Sequence, residues 1–210
     1  MFKNRREAGY LLAQALEKQA VDFDVVLGVP RGGAVIAEAV ADYFNRGMDV
    51  VLARKVSSPN WEEYAVGAVA PDGEILIHER VRDLIDTDMT AVNRLAEQVR
   101  QGINERLNYY RSQRPPIDLK DKKVLLVDDG IATGFTLKAA ISYLNRQDTA
   151  GVIIAAPVSS RSAYLDLSEV VEQMIVLEKP ENFYAVGQFY EDFASVDDEQ
   201  VVDILKRTIA

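Results

Sequence analysis

The residues best suited to chemistry stand in one run, Val124 to Leu137, which reads VLLVDDGIATGFTL. Two adjacent carboxylates, Asp128 and Asp129, are followed by a glycine and then by small and hydroxylated residues. Carboxylates accept hydrogen bonds from hydroxyl groups and bind hard cations, whereas a small-residue turn before a helix exposes backbone N–H groups to an anion. A sugar phosphate needs both kinds of group, so the run predicts a sugar-phosphate site. The alternative is that the two acids only end a strand and cap the next helix.

The residues on either side of this turn predict a strand before it and a helix after it. Four consecutive apolar residues, from Val124 to Val127, are typical of a strand that is buried on both faces. Apolar residues then recur at helical spacing, at Leu137, Ala140, Ile141 and Leu144. The small-residue turn therefore lies at a helix N-terminus.

A second strand, turn and helix are predicted near the N-terminus. Asp24 to Val29 reads as a short buried strand, Pro30-Arg31-Gly32-Gly33 as the turn, and residues 34–44 as an apolar helix. Paired glycines permit positive φ and a close approach of backbone to ligand. An arginine beside them can bind a diphosphate through its planar fork. Taken alone, this turn is by default interpreted as structural, and it has neither Rossmann nor P-loop spacing.

These motifs resemble type I phosphoribosyltransferases. The run VLLVDDGIATGFTL is similar to the family's signature for phosphoribosyl pyrophosphate (PRPP), and PRGG resembles its pyrophosphate loop. The blocks EYAVGA, FYAVG and FYEDF resemble stand-alone bacterial and archaeal members of unassigned base specificity. The resemblance covers nearly the whole chain. It implies an α/β fold with a largely parallel central sheet flanked by helices, a lid hairpin, an inserted long helix and a small C-terminal hood.

The resemblance also implies a reaction in which a nitrogenous base, purine or pyrimidine, displaces diphosphate from PRPP in a magnesium-dependent step. The catalytic residues it implies are Asp128, Asp129, Arg31 and Lys55. The residues it assigns to PRPP are Arg31, Gly32, Gly33, Arg54, Lys55, Asp128, Asp129, Gly130, Ile131, Ala132, Thr133, Gly134, Phe135 and Thr136. Asp128 and Asp129 would face magnesium directly, through water or through the ribose.

One position departs from a well-known branch of this family. Hypoxanthine-guanine members carry an aspartate where this chain has Ala132, and that acid handles the proton on the purine ring. Adenine-type and orotate-type relatives lack the acid, so the base stays open. Glu62 or Glu63, in the segment expected to form the lid, is a candidate replacement.

The length of 210 residues favours one domain over residues 1–210. Within it we expect a lid at about 54–78, a helical insertion at about 81–116 and a hood at about 178–210. The lid follows a strand at 49–53 that ends in Arg54 and Lys55, with a polar loop at 56–64 and a hairpin at 65–77. Because ligands in such sheets bind beyond the carboxyl ends of the strands, Arg54 and Lys55 are expected to meet the two turns there.

Three helices and the tail complete the prediction. An N-terminal helix is expected at 2–20, with Leu11 among its inward residues, and a long helix at 86–112 whose charged face is only solvated. Asp197 is expected to cap the last helix. The dense tail aromatics fit a latch on the sheet or a hood over the base; they are Phe183, Tyr184, Phe189, Tyr190 and Phe193.

Composition excludes several other functions. The chain has no cysteine and a single histidine, His78, so disulfides, cysteine-based zinc sites and multi-histidine metal sites are excluded. A net charge of −9 disfavours a nucleic-acid surface, and no apolar run reaches the roughly 20 residues of a membrane helix. We expect a cytoplasmic protein in nucleotide metabolism, with PRPP and a base as partners and a homodimer as one assembly. The alternative is a non-catalytic regulatory protein that senses PRPP or a nucleotide.

Overall fold

The computed structural model describes residues 1–58, 61–77, 89–112 and 114–209. Within these ranges the α-helices are Arg5–Lys18 (α1), Gly32–Phe44 (α2), Met89–Arg111 (α3), Phe135–Asn145 (α4), Arg161–Ser168 (α5) and Asp198–Arg207 (α6), and a 3₁₀ helix spans Val186–Phe189. The strands are Val25–Gly28 (β1), Gly47–Val50 (β2), Arg54–Ser58 (β3), Trp61–Val69 (β4), Ile75–Ile77 (β5), Lys123–Val127 (β6), Gly151–Val158 (β7) and Gln173–Glu178 (β8).

The central sheet has five parallel strands in the order β2-β1-β6-β7-β8. Alternate residues of each strand face opposite helical layers. Val26 and Leu125 lie in the core cluster that contains residues of α1, α2, α3 and α6, whereas Leu27 and Leu126 lie in the cluster of α4 and α5. Burial on both faces explains why these strands read as continuous apolar runs. The predicted α/β class with a parallel sheet is confirmed.

The connections leave the sheet in opposite directions from two neighbouring strands. β1 leads through α2 to β2 on one side, while β6 leads through α4 to β7 on the other. β1 and β6 are paired along their length, with Gly28 opposite Val127. A crevice forms at such a switch point, beyond the carboxyl ends of the strands. The two turns singled out in the sequence both lie at this crevice.

A separate antiparallel sheet, β3-β4-β5, carries the segment expected to be the lid. The predicted hairpin around Pro71-Asp72-Gly73 is confirmed, since β4 pairs with β5. Two details of the prediction are wrong. The strand expected at 49–53 ends at Val50, and much of the polar loop expected at 56–64 is strand, because Arg54 starts a ladder opposite Val69. The side chains of Glu62 and Glu63 and all of His78 lie outside the described residues.

The long helix α3 packs on the core through one apolar face, as its spacing predicted. Ile103, Leu107 and Tyr110 are buried. The expectation that its charged face is only solvated is wrong, because Arg106 and Arg111 form ion pairs with Asp198 and Asp49. Among the described ranges, no helix combines the length and apolar character that a membrane crossing requires.

The two chain ends pair beside the sheet. The backbone N–H of Phe2 donates to the carbonyl of Phe189, and the N–H of Glu191 donates to the carbonyl of Phe2, both at 2.8 Å. α1 begins after this pairing, at Arg5, with Asn4 as its N-cap. Leu11 is 41% exposed, so its predicted inward position is wrong. Asp197 caps α6 as predicted, since its side chain accepts from the N–H of Gln200.

Candidate functional site

The turn after β1 packs directly against the acid pair that follows β6. A Cβ built on Gly33 would lie 2.9 Å from both the Cα of Asp128 and the carbonyl oxygen of Val127. A Cβ on Gly32 would collide with the carboxylate of Asp129. Only glycine leaves room for this approach. The structure therefore brings the two turns into contact, with a cis peptide between Pro30 and Arg31.

The two helices that start at this crevice lack side-chain caps. α1, α5 and α6 begin with Asn4, Ser160 and Asp197, each of which accepts a hydrogen bond from an N–H of its own first turn. No side chain caps α2 or α4, and neither first turn contains an acidic residue. Helix N-termini carry partial positive charge and favour anions. These two starts are therefore suited to phosphate groups.

Residues 130–136, the turn between β6 and α4, are anchored by hydrogen bonds to the segment that follows β7 and to the last residue of β7 itself. Ile131 donates its N–H to the carbonyl of Val158 at 2.9 Å, and the hydroxyl of Ser160 donates to the carbonyl of Ala132 at 2.6 Å. Gly134 has φ +69° and starts α4, a conformation that side chains disfavour. Thr133 is exposed and Thr136 is half-buried. Ala132, which replaces the acid of the hypoxanthine-guanine branch, is exposed in this turn.

The surroundings of Asp128 disfavour its charged form. It is half-buried, and its Oδ1 accepts the backbone N–H of Asp129 at 2.8 Å. Burial raises the pKa of Asp128 well above its ordinary range, and the negative charge of Asp129 raises that pKa further. A hydroxyl group or a cation beside Asp128 would stabilise its ionised form and so offset the effect of burial.

Asp129 is paired with an arginine that the sequence did not single out. The Nε of Arg5 donates to Oδ2 of Asp129 at 2.7 Å, and both side chains are largely buried. The same guanidinium lies 3.8 Å from the ring centroid of Phe193 and donates to the carbonyl of Ala194 at 2.8 Å. Arg5 thus joins the N-terminal helix, the tail and the acid pair. No local pattern around Arg5 marks this role.

The tail lies across the acid turn. The hydroxyl of Tyr190 donates to the backbone carbonyl of Asp129 at 2.6 Å, and burial raises the pKa of Tyr190, so this hydroxyl stays protonated. A Cβ on Gly130 would collide with the side chain of Val186. Phe189 and Tyr190 are buried, as in a latch, whereas Tyr184 is 86% exposed.

Arg31 points to a charged cluster beside the crevice. Its Nη1 lies 3.9 Å from Oδ1 of Asp198, the first residue of α6. Nη2 of Arg106 lies 3.1 Å from Oδ2 of the same carboxylate, and the hydroxyl of Tyr110 donates to Oδ1 at 2.7 Å. Neither Arg106 nor Asp198 stands in a motif, and nothing in the local sequence indicates that α3 and α6 meet here.

Arg54 and Lys55, two basic residues of the predicted PRPP site, follow the end of β2 by four and five residues. Both are exposed at the start of β3, and Nη1 of Arg54 lies 3.7 Å from a Cβ position on Gly102 of α3. Among the described residues, the hydrogen bonds and ion pairs connect neither side chain to Asp128 or Asp129. That these two basic residues meet the two turns stays a prediction.

The acid pair fits a magnesium ion that is shared with phosphate. In the described part of the chain, no three acidic or histidine side chains form a metal cluster. Magnesium commonly binds through one or two carboxylates together with substrate phosphates and water. Asp128 and Asp129 would hold it in this way, and a cation beside Asp128 would offset the burial that raises the pKa of that carboxyl.

Comparison with known proteins identifies the relatives. A family model described as phosphoribosyl transferase domain matches residues 4–194. A Mycobacterium tuberculosis protein named "Putative phosphoribosyl transferase", found in two strains, is 32% identical over 207 residues, which are 99% of this chain and 47% of the relative. The chain therefore spans about half the length of the curated relatives it matches.

Two solved structures extend the comparison. The protein TT1426 from Thermus thermophilus has a TM-score of 0.86 and 38% identity, with 100% of both chains covered. A hypothetical protein from Neisseria gonorrhoeae, solved with bound ppGpp, has a TM-score of 0.55 and 13% identity, and covers 98% of this chain and 97% of its own. Similarity at that identity shows the fold alone.

Proposed function

The chain belongs to the phosphoribosyl transferase domain family, and we propose that it transfers a phosphoribosyl group from PRPP to a nitrogenous base with magnesium-dependent release of diphosphate. The observation that carries the proposal is the contact of Gly32 and Gly33 with Asp129 and Asp128 at the switch point of the sheet. One substrate that carries a 5′-phosphate and a diphosphate on the same ribose would reach both uncapped helices and the acid pair at once.

In this proposal the uncapped start of α4 binds the 5′-phosphate. Residues 133–136 would supply backbone N–H groups there, as helix N-termini do for anions. The start of α2, with Arg31, would bind the diphosphate. The ribose then spans the space between the two helix starts, where Asp128 and Asp129 accept hydrogen bonds from its hydroxyl groups.

The reaction exchanges one bond at the ribose carbon C1. The lone pair of a base nitrogen forms the new bond to C1, while the bond from C1 to the diphosphate oxygen breaks and its electron pair leaves with diphosphate. Arg31 stabilises the charge that develops on the leaving group. The carboxylates of Asp128 and Asp129 stabilise positive charge on the ribose ring and hold it in position.

Magnesium, when bound, supplies further positive charge to the leaving diphosphate, and Asp128 and Asp129 would hold it. In this proposal Lys55 contacts the diphosphate when the start of the β3–β4 hairpin approaches the two turns. Arg54 is subject to the same condition.

The proposal is tested by measuring diphosphate release from PRPP with magnesium and a panel of purine and pyrimidine bases. We expect release with at least one base, and competition by diphosphate. Calorimetric titration with PRPP in the same buffer completes the test. If PRPP binds while every base fails, the regulatory alternative is the correct function. If PRPP does not bind, both are wrong.

A further inference from the structure

We propose that Arg106, on the long helix α3, is a second cation of the diphosphate site and that Asp198 is the counterion it exchanges for the ligand. This inference rests on the proposed function, because it requires diphosphate at Arg31. It assigns a ligand-binding role to the charged face of the long helix, in addition to the ion pairs that Arg106 and Arg111 form with Asp198 and Asp49.

The geometry places both arginines on one carboxylate. Arg31 approaches Oδ1 of Asp198 at 3.9 Å, and Arg106 approaches Oδ2 at 3.1 Å. Arg31 is the last residue before α2, so this cluster adjoins the helix start assigned to diphosphate. A single anionic group thus already draws together one guanidinium from the turn and one from α3.

The charges of this cluster do not balance. Two guanidinium groups face one carboxylate, which leaves one positive charge in excess. The Arg31 contact is too long for a hydrogen bond. The Arg31 and Arg106 side chains are 47% and 38% exposed, and ion pairs at such exposure are weak and easily exchanged. A diphosphate offers more negative charge and more acceptor oxygens than Asp198 does, so it can replace that carboxylate as the partner of both arginines.

The carboxylate itself is anchored. Tyr110, which is buried, donates its hydroxyl to Asp198 at 2.7 Å, and Asp198 belongs to the first turn of α6. The two arginines have long, flexible side chains, so their guanidinium groups can change position. We therefore expect the guanidinium groups to turn from Asp198 to the ligand, while Asp198 keeps its hydrogen bond to Tyr110.

Calorimetric titration with diphosphate and magnesium tests the inference on the wild type, Arg106→Gln, Arg106→Lys, Asp198→Asn and the control Arg94→Gln, with Arg31→Ala as the reference for loss of the site. Arg94 is exposed on the same helix. Loss of a hydrogen bond to a charged group corresponds to roughly a tenfold to hundredfold change in Kd. We expect Arg106→Gln to weaken diphosphate binding by about that factor, Arg106→Lys to recover part of it, and Arg94→Gln to leave it unchanged.

The sign of the Asp198→Asn effect separates binding from a structural role. Asparagine still accepts the hydroxyl of Tyr110 but no longer competes with the ligand, so diphosphate should bind more tightly. A purely structural ion pair would instead make Arg106→Gln and Asp198→Asn weaken binding alike, and that result would overturn the inference.

Failure of the inference is distinguishable from failure of the proposed function. If wild type binds diphosphate, Arg31→Ala loses it and Arg106→Gln does not, only the role of Arg106 is wrong. If wild type binds neither diphosphate nor PRPP, both are wrong.

Discussion

Arg5 and Asp129 are 124 residues apart in the sequence, yet the Nε of Arg5 donates to Oδ2 of Asp129 at 2.7 Å. The ring of Phe193 covers the same guanidinium at 3.8 Å. One arginine therefore holds an acid of the proposed ribose site in place and connects it to both chain ends. In the absence of ligand this contact fixes the orientation of Asp129 before a sugar arrives.

We predict that Arg5→Met lowers the free energy of unfolding by about 3 kcal/mol, because it leaves the charge of Asp129 buried and unpaired. The side chains of the pair are only 11% and 15% exposed, so solvent screens them little. Urea denaturation measures the effect. The double variant Arg5→Met/Asp129→Asn should recover part of the loss.

Lys3→Met, which breaks an exposed pair with Glu7, is the control and should change stability by less than about 0.5 kcal/mol. Equal effects of Arg5→Met and Lys3→Met would contradict the prediction.

Asp128→Asn should stabilise the ligand-free protein at neutral pH while it removes activity. The pKa of Asp128 is raised by burial and by Asp129, so between its ordinary value of 3.8 and its raised pKa the folded protein binds more protons than the unfolded chain. Stability of the wild type must then fall as pH rises through that window. Asparagine cannot ionise, so the advantage of the variant should grow with pH. Denaturation without magnesium from about pH 4 to about pH 8 measures it; an advantage that is constant with pH would refute the assignment.

Gly33→Ala should destabilise the protein by roughly 1–3 kcal/mol, since the added methyl group overpacks the contact between the two turns. Its Cβ would lie 2.9 Å from the Cα of Asp128. Gly102→Ala is the matched control, because in mid-helix its Cβ meets only Arg54 Nη1 at 3.7 Å. That control should stabilise α3 by roughly 0.5–1 kcal/mol. Thermal unfolding measures both variants. If Tm changed in the same direction in both, the close approach of Gly33 to Asp128 would not limit the size of the residue there.

Asp129→Asn should reduce kcat/KM for diphosphate release by roughly 10²- to 10³-fold, because the neutral amide no longer stabilises positive charge on the ribose. The overall fold should remain, as judged by circular dichroism. Asp203→Asn, at an exposed position on α6 where the residue pairs with Lys206, should leave the rate unchanged. Turnover of Asp129→Asn equal to that of the wild type would remove the ribose role assigned here.

Sequence alone determined the sheet and both turns, because their signals are local. Strands buried on two faces must be apolar throughout, and the helices that follow must repeat apolar residues at helical spacing. Gly32 and Gly33 stand where only a missing Cβ permits contact with the acids. The run from Asp128 to Thr136 likewise predicts a sugar-phosphate site from local residue types, since two acids stand beside a small-residue turn at a helix start.

Only the tertiary structure decided which distant side chains complete the crevice. Arg5 reaches Asp129 because the chain ends pair through Phe2 and Phe189, and Arg106 reaches Asp198 because α3 packs against α6. Likewise, much of the segment after Lys55 that reads as a loop pairs into an antiparallel ladder. Each of these contacts depends on how remote segments pack together, and such packing leaves no periodicity or turn signal in the segments themselves.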